Sequence, residues 1–226
     1  MVRDTEGCDI KSKYNDDNII FKTNNKYTYN AYRIKGDDTL NCFMEYLNDT
    51  VIIKKVVLTI LPGKFFSQTK IKWEYLDENN NVISKYITGI IEDENEIWVH
   101  PPRKGIPFIY TESAPFPDIT YPLDSMSNWK GKLIGLKGYE SIGLEGKVSF
   151  EYNVSLRQDI QTDYKSFKNC CVINSSGESC IGISTHTYFF DEEYGFVYSE
   201  YNFPTGEKLI LSLNDFKEGK TITNKK

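Results

Sequence analysis

Thr69-Lys70-Ile71-Lys72-Trp73-Glu74-Tyr75-Leu76 decides the fold class of this chain. Ile71, Trp73 and Tyr75 alternate with Lys70, Lys72 and Glu74, so an extended backbone puts the large apolar groups on one face and charge on the other. That is the signature of a sheet with one dry and one wet side. Val82–Ile91 follows after Asp77-Glu78-Asn79-Asn80-Asn81, whose Asn and Asp residues tolerate left-handed backbone, and the two arms predict a hairpin.

The same pattern extends in both directions. Ile19–Lys22, Lys26–Ile34, Leu40–Leu47 and the β-branched run Val51–Leu61 precede it, with a turn signal at Gly36-Asp37-Asp38. Downstream, Val148, Phe150, Tyr152 and Val154 alternate within Lys147–Leu156. Phe167–Ile173 and Ser179–Phe190 predict a hairpin turning at Ser175-Ser176-Gly177-Glu178. Tyr194–Phe203 and Glu207–Leu213 predict another, turning at Pro204-Thr205-Gly206. No apolar stripe of helical period reaches ten residues. The expected fold is all-β and antiparallel, a strongly curved sheet or half-barrel, with a two-sheet sandwich as the alternative.

Composition agrees. Of 226 residues, 16 are Tyr, 13 Phe and 3 Trp, enough ring area to fill a core that few Leu supply. The polar segment 1–17 reads as a flexible leader, 18–217 as one β domain and 218–226 as a flexible tail. Net charge is -5 with the two signs interspersed, which excludes the basic stripe of a nucleic-acid binder. No apolar run approaches the roughly 20 residues of a membrane span. No apolar leader follows Met1, so the protein is cytoplasmic if Met1 is its native start, or exported if a signal has been removed.

From Ile106 to Pro122 the chain carries Pro107, Pro115, Pro117 and Pro122, which no continuous ladder strand can hold, so this segment is expected to cross an end or edge of the sheet. The aromatic residues around it, Trp98, Phe108, Tyr110, Phe116 and Trp129, can either line a cavity for an apolar or lipidic small molecule or simply close the core. In the first reading His100 and Arg103 are the polar anchors.

Catalytic machinery is sparse. His100 and His186 are the whole histidine supply, and no nucleophile elbow, phosphate loop or calcium loop occurs. Five cysteines show no metal-ligand spacing, and no cofactor or metal is expected. Cys171 and Cys180 either face each other across their hairpin as a disulfide or are small buried hydrophobes. The expectation is a non-enzymatic protein, with a hydrolase using His100 as a remote alternative.

Ile97-Trp98-Val99-His100-Pro101-Pro102-Arg103, followed by Pro115-Phe116-Pro117-Asp118-Ile119, resembles a family of bacterial envelope lipoproteins of unknown activity. So does the run from Cys171-Val172-Ile173 through Tyr188-Phe189-Phe190 and Tyr194-Gly195-Phe196-Val197 to Leu213. The closing pattern is also loosely similar to periplasmic half-barrels that carry lipoproteins. The resemblance implies a lipid-anchored, exported protein in the cell envelope or periplasm, and it brings no catalytic residues. Gly7-Cys8 is a remnant of a lipobox without its apolar stretch, which makes Cys8 the candidate lipid anchor. The chain departs from the family in keeping only Trp129 in its middle, where a Gly-rich run replaces further Trp. A filled-core structural or interaction module is the alternative to ligand binding.

Overall fold

The computed structural model describes residues 18–46, 49–124 and 127–219. The expected leader, the end of the tail and Cys8 lie outside the described residues. Sixteen strands occur among the described residues: β1 Lys26–Lys35, β2 Asp38–Leu40, β3 Cys42–Tyr46, β4 Asp49–Ile53, β5 Lys55–Phe65, β6 Gln68–Leu76, β7 Val82–Glu92 and β8 Glu96–Val99, then β9 Asp118–Thr120, β10 Asn128–Leu136, β11 Gly146–Val154, β12 Gln158–Gln161, β13 Ser166–Ser179, β14 Gly182–Asp191, β15 Gly195–Asn202 and β16 Glu207–Lys217. Strand covers 64% and helix 5%, so burial by alternation, not helical packing, builds the core.

The main sheet runs β10-β11-β13-β14-β15-β16-β1-β5-β6-β7-β8-β9, antiparallel throughout. It curls until it nearly closes into a barrel with one seam, and the two-sheet sandwich is thereby excluded. β9 and β10 are the two ends of the path. β3 and β4 form a separate hairpin. The chain enters at Asn18 and leaves at Gly219 by the same end, because the start of β1 pairs with the end of β16 (Lys26 opposite Lys217). This end is the terminal rim; the turns at Asp77, Cys180 and Pro204 mark the far rim.

The quoted stretch behaves as its alternation requires. Ile71, Trp73 and Tyr75 of β6 are buried, opposite Ile60, Leu58 and Val56 of β5. The predicted hairpin forms around Asp77, whose carboxylate accepts from Asn79 N at 2.9 Å and Asn81 N at 2.7 Å, with Asn80 in the left-handed region.

The Pro-rich segment crosses the sheet, but through the inside of the barrel. Residues 100–117 form a strap that fills the concave face, with Phe108, Ala114 and Phe116 fully buried and a short 3-10 turn at Phe108–Ser113. Prolines remove amide donors and leave carbonyl acceptors. The wall supplies matching donors: Trp73 Nε1 to His100 O at 2.8 Å, Tyr86 OH to Pro101 O at 2.6 Å, His186 Nδ1 to Pro115 O at 2.9 Å, and Tyr188 OH to Asp118 O.

One expected turn is absent, and the strap explains it. Ser175-Ser176-Gly177-Glu178 does not reverse the chain; β13 continues to Ser179 and turns at Cys180-Ile181. Gly177 is there because the strap passes too close for a side chain. A Cβ on it would lie 3.0 Å from Ser113 O and 3.1 Å from Pro115 Cδ. The displaced turn also removes the expected disulfide. Cys171 sits opposite Phe190, far down the ladder from Cys180 at the hairpin tip, so no rotamers bring the two sulfurs together. Cys42, Cys170 and Cys171 are buried free thiols, and Cys180 is an exposed one.

Gly177→Val should push the strap off β13 and lower stability by about 1–3 kcal/mol, an overpacking cost readable in denaturant unfolding. A thiol reagent applied to the native protein should label the peptide containing Cys180, while those containing Cys42, Cys170 and Cys171 label only after unfolding; peptide mapping by mass spectrometry checks this.

Candidate functional site

The residues expected to line a cavity pack against neighbouring rings. Phe116 packs tilted against Trp98, 5.6 Å between centroids, and against His100 at 4.9 Å. Phe108 turns its edge to Tyr75 at 5.3 Å, and Tyr110 meets Phe203 at 5.6 Å. Trp129 lies on β10, stacked on Tyr152 at 5.2 Å. A partly open space between strap and wall, lined by Tyr29, Trp73, Pro101, Pro117 and Tyr201 among others, is about 20 Å³. That volume suits one water molecule and no acyl chain.

His100 and Arg103 do come together, around a residue that the sequence did not single out. Glu112 is 2% exposed, with its Oε1 3.3 Å from an Arg103 terminal nitrogen and 3.6 Å from His100 Nε2. The same guanidinium nitrogen donates to His100 Nε2 at 3.1 Å and to Tyr139 OH at 3.2 Å. Since Arg can only donate, His100 Nε2 is an acceptor, and its proton sits on Nδ1, 3.2 Å from Pro101 O. His100 is therefore neutral; burial first and Arg103 second lower its pKa to about 4. Burial raises that of Glu112 against the pull of Arg103. The guanidinium also lies 5.3 Å from the Tyr86 ring centroid.

This cluster clamps the strap to β7 and to the turn after β10. His100 already has both ring nitrogens engaged, and the strap hydroxyls are bonded elsewhere, Thr111 to Pro102 O and Phe108 O, Ser113 to Tyr110 O and paired with Ser184. Among the described residues no three metal-ligating side chains converge. His186 is wholly buried, with its pKa lowered to about 3 by that burial, and it stacks on Tyr201 at 3.8 Å.

The seam is the remaining feature. β10 pairs on one side only, with β11. Its inward row, Trp129, Gly131 and Leu133, is half-buried, whereas the inward rows of β6 and β11 are fully buried. Facing β10 are short β9 near the terminal rim and, beyond it, the first half of β7, which β8 does not cover. Toward the far rim the seam widens into an open groove of about 590 Å³ lined by Met44, Ser84, Lys104, Ile109, Lys137 and Tyr139 among others. Near the terminal rim Asp118 and Trp129 face each other across it. Asp118 Oδ1 and Trp129 Nε1 are both buried without a partner of hydrogen-bonding geometry. Burial raises the Asp118 pKa to about 7, a shift that the nearby indole N–H moderates.

Comparison with known proteins adds a fold and little more. No family model matches the chain, and no curated protein sequence matches it. Among solved structures it is similar to a candidate lipoprotein of Parabacteroides distasonis, with a TM-score of 0.51 and 11% identity over 88% of this chain and 97% of that one. A candidate exported protein with a YmcC-like fold from Bacteroides fragilis gives 0.48 and 8% identity over 88% and 98%. At 11% identity the first likeness shows a shared fold alone. No helix among the described residues is long and apolar enough to cross a membrane.

The Asp118 carboxyl gives a pH signature. Its folded pKa lies above the unfolded value near 3.8, so the folded state holds a proton that the unfolded state has released. This contribution is fully present below pH 3.8 and is lost as pH rises through about 7. The stability advantage of Asp118→Asn over the wild type should therefore grow between pH 4 and 7 and level off above, in urea unfolding at a series of pH values. A flat difference would remove the buried-carboxyl assignment.

Proposed function

We propose that this protein is a non-enzymatic component of the cell envelope that accepts an extended segment of a partner protein along the β10 edge of its seam. The observation that carries this reading is a nine-residue edge strand, paired on one side, whose inward apolar row is left half-buried. An added strand satisfies edge amides and carbonyls and covers such a row at the same time. Trp129, Leu133 and Leu136 would receive alternate side chains of the incoming segment. Lys104 and Lys137 at the wide end favour an acidic one. Lys130 and Lys132 point outward and discourage indiscriminate edge pairing between copies.

The packing of the strap supports this reading over a lipidic ligand on the concave face, since the space between strap and wall beside Tyr29, Trp73 and Tyr201 is water-sized. The neutral, fully engaged His100 weighs against a hydrolase. Envelope location rests on the resemblance carried by residues 97–103 and 115–119, and the shared fold of a candidate lipoprotein is consistent with it.

A suitable probe is a synthetic alternating Val-Thr octapeptide flanked by Asp. Hydrogen exchange followed by NMR should show slowed exchange at the seam-facing amides of β10 on peptide addition. Proline at whichever of Gly131 or Lys132 points its N–H to the seam should weaken binding roughly tenfold or more, through one lost ladder bond and the ring's bulk. Unchanged β10 exchange at saturating peptide would overturn the proposal.

A further inference from the structure

Arg103 is fixed by one end of its guanidinium. Nη1 donates to His100 Nε2 at 3.1 Å, to Tyr139 OH at 3.2 Å and to Glu112 Oε1 at 3.3 Å, while among the described residues nothing accepts from Nε or Nη2. The group lies over the Tyr86 ring, its side chain is 34% exposed, and it lines the groove of about 590 Å³ at the wide end of the seam. A planar fork held in place with its two-donor edge open is preorganised for an anion that presents two oxygens side by side.

Charge at the groove has the matching sign. Lys104 and Lys137 line it as well, both exposed and, among the described residues, without an ion-pair partner; the Lys104 ammonium sits 5.9 Å from the Tyr86 ring centroid. Of the acids nearby, Glu112 answers Arg103 from beneath, and Glu140 is turned onto the Gly138 amide at 3.2 Å. Glu45 on the lining is left against the two lysines. One further negative charge completes this balance, which favours a carboxylate over a phosphate dianion.

The place of the groove along the seam says which carboxylate. The β10 ladder ends at Leu136, just past Gly135 in its left-handed conformation, and Lys137 is the next residue. A strand laid on β10 therefore runs out of backbone partners where the cations begin. A chain that stops there presents its own terminal carboxylate to them, and its last side chain meets Met44 and Ile109 on the same lining. Such a chain runs parallel to β10. It also runs antiparallel to β7, which starts at the far rim with Val82 and is left uncovered by β8 in its first half.

We infer that the wide end of the seam is a receptor for a protein C-terminus. Arg103 takes the two oxygens of the α-carboxylate, Lys104 and Lys137 attract it, and Met44 and Ile109 accept an apolar last residue. Strand addition and capture of a chain terminus are both recurring modes of peptide recognition. This inference rests on the seam as a strand acceptor and adds the direction and the end of the incoming segment.

The probe is an N-acetylated alternating Thr-Val octapeptide ending in a valine carboxylate, compared with the same peptide amidated at that end. In NMR titrations at low salt the acid should bind roughly tenfold tighter or more, and it should shift the Arg103 Nε–H resonance where the amide does not. Lys104→Gln/Lys137→Gln should erase the difference by weakening the acid alone, and Lys168→Gln on the terminal rim should preserve it. N-acetylvaline carries the carboxylate and no strand, so at millimolar concentration it tests the groove by itself and should shift the same resonance. Equal affinity of acid and amide, with β10 exchange slowed by both, would overturn the inference and leave the seam reading intact. An Arg103 resonance moved by N-acetylvaline, with no peptide slowing β10 exchange, would uphold the carboxylate site and remove the seam reading. Displacement of N-acetylvaline by equimolar inorganic phosphate would assign the groove to phosphoryl groups and so overturn the inference too.

Discussion

Everything in this barrel depends on the match between a strap that is rich in carbonyls and a wall that is rich in ring donors. A buried backbone segment must satisfy each polar group, and an unmade bond costs on the order of 1–3 kcal/mol. Strap residues 100–117 lower half of that demand with prolines, which carry no amide hydrogen. The remaining demand, for donors to carbonyl oxygens, is met by Trp73, Tyr86, His186 and Tyr188 reaching inward from three different strands. Tyr86 and Tyr188 therefore do two things at once, filling volume and carrying hydroxyls to where a crossing backbone needs them.

The same constraint shapes what the protein offers to partners. A half-barrel without a strap would present a concave apolar surface, suited to a lipid or an acyl chain. With the strap in place that surface is consumed, and the unsatisfied part of the structure moves to the seam, where β9 and β10 end the sheet without meeting. Asp118 Oδ1 and Trp129 Nε1, which face each other there without good hydrogen-bond geometry, mark that discontinuity in atoms.

The charged cluster at His100, Arg103 and Glu112 belongs to the same logic. Read as a sequence, a histidine near an arginine at a strand end invites a catalytic interpretation. In the fold, one guanidinium serves His100, Glu112 and Tyr139 together, which fixes the imidazole as a neutral acceptor and anchors the strap where it enters the barrel. A buried ion pair of this kind is a better device for position than for stability.

Strand identity was legible because period-two burial is local: Ile71, Trp73 and Tyr75, or Val148, Phe150 and Tyr152, declare one face within a few residues. Strand alternation likewise implied a curved antiparallel sheet, and the prolines implied a segment outside the ladder. What the residues alone determined about this protein is thus its all-β class, most of its hairpins and its lack of a recognisable catalytic motif. Only the tertiary structure decided that the Pro-rich segment runs inside the barrel, that Gly177 is a clearance point and not a turn, that Glu112 meets His100, and that Arg103, Lys104 and Lys137 share a groove. A proline-rich peptide has no periodicity to announce its neighbours, and contacts between residues dozens to more than a hundred positions apart are set by how the sheet closes, which no local pattern encodes.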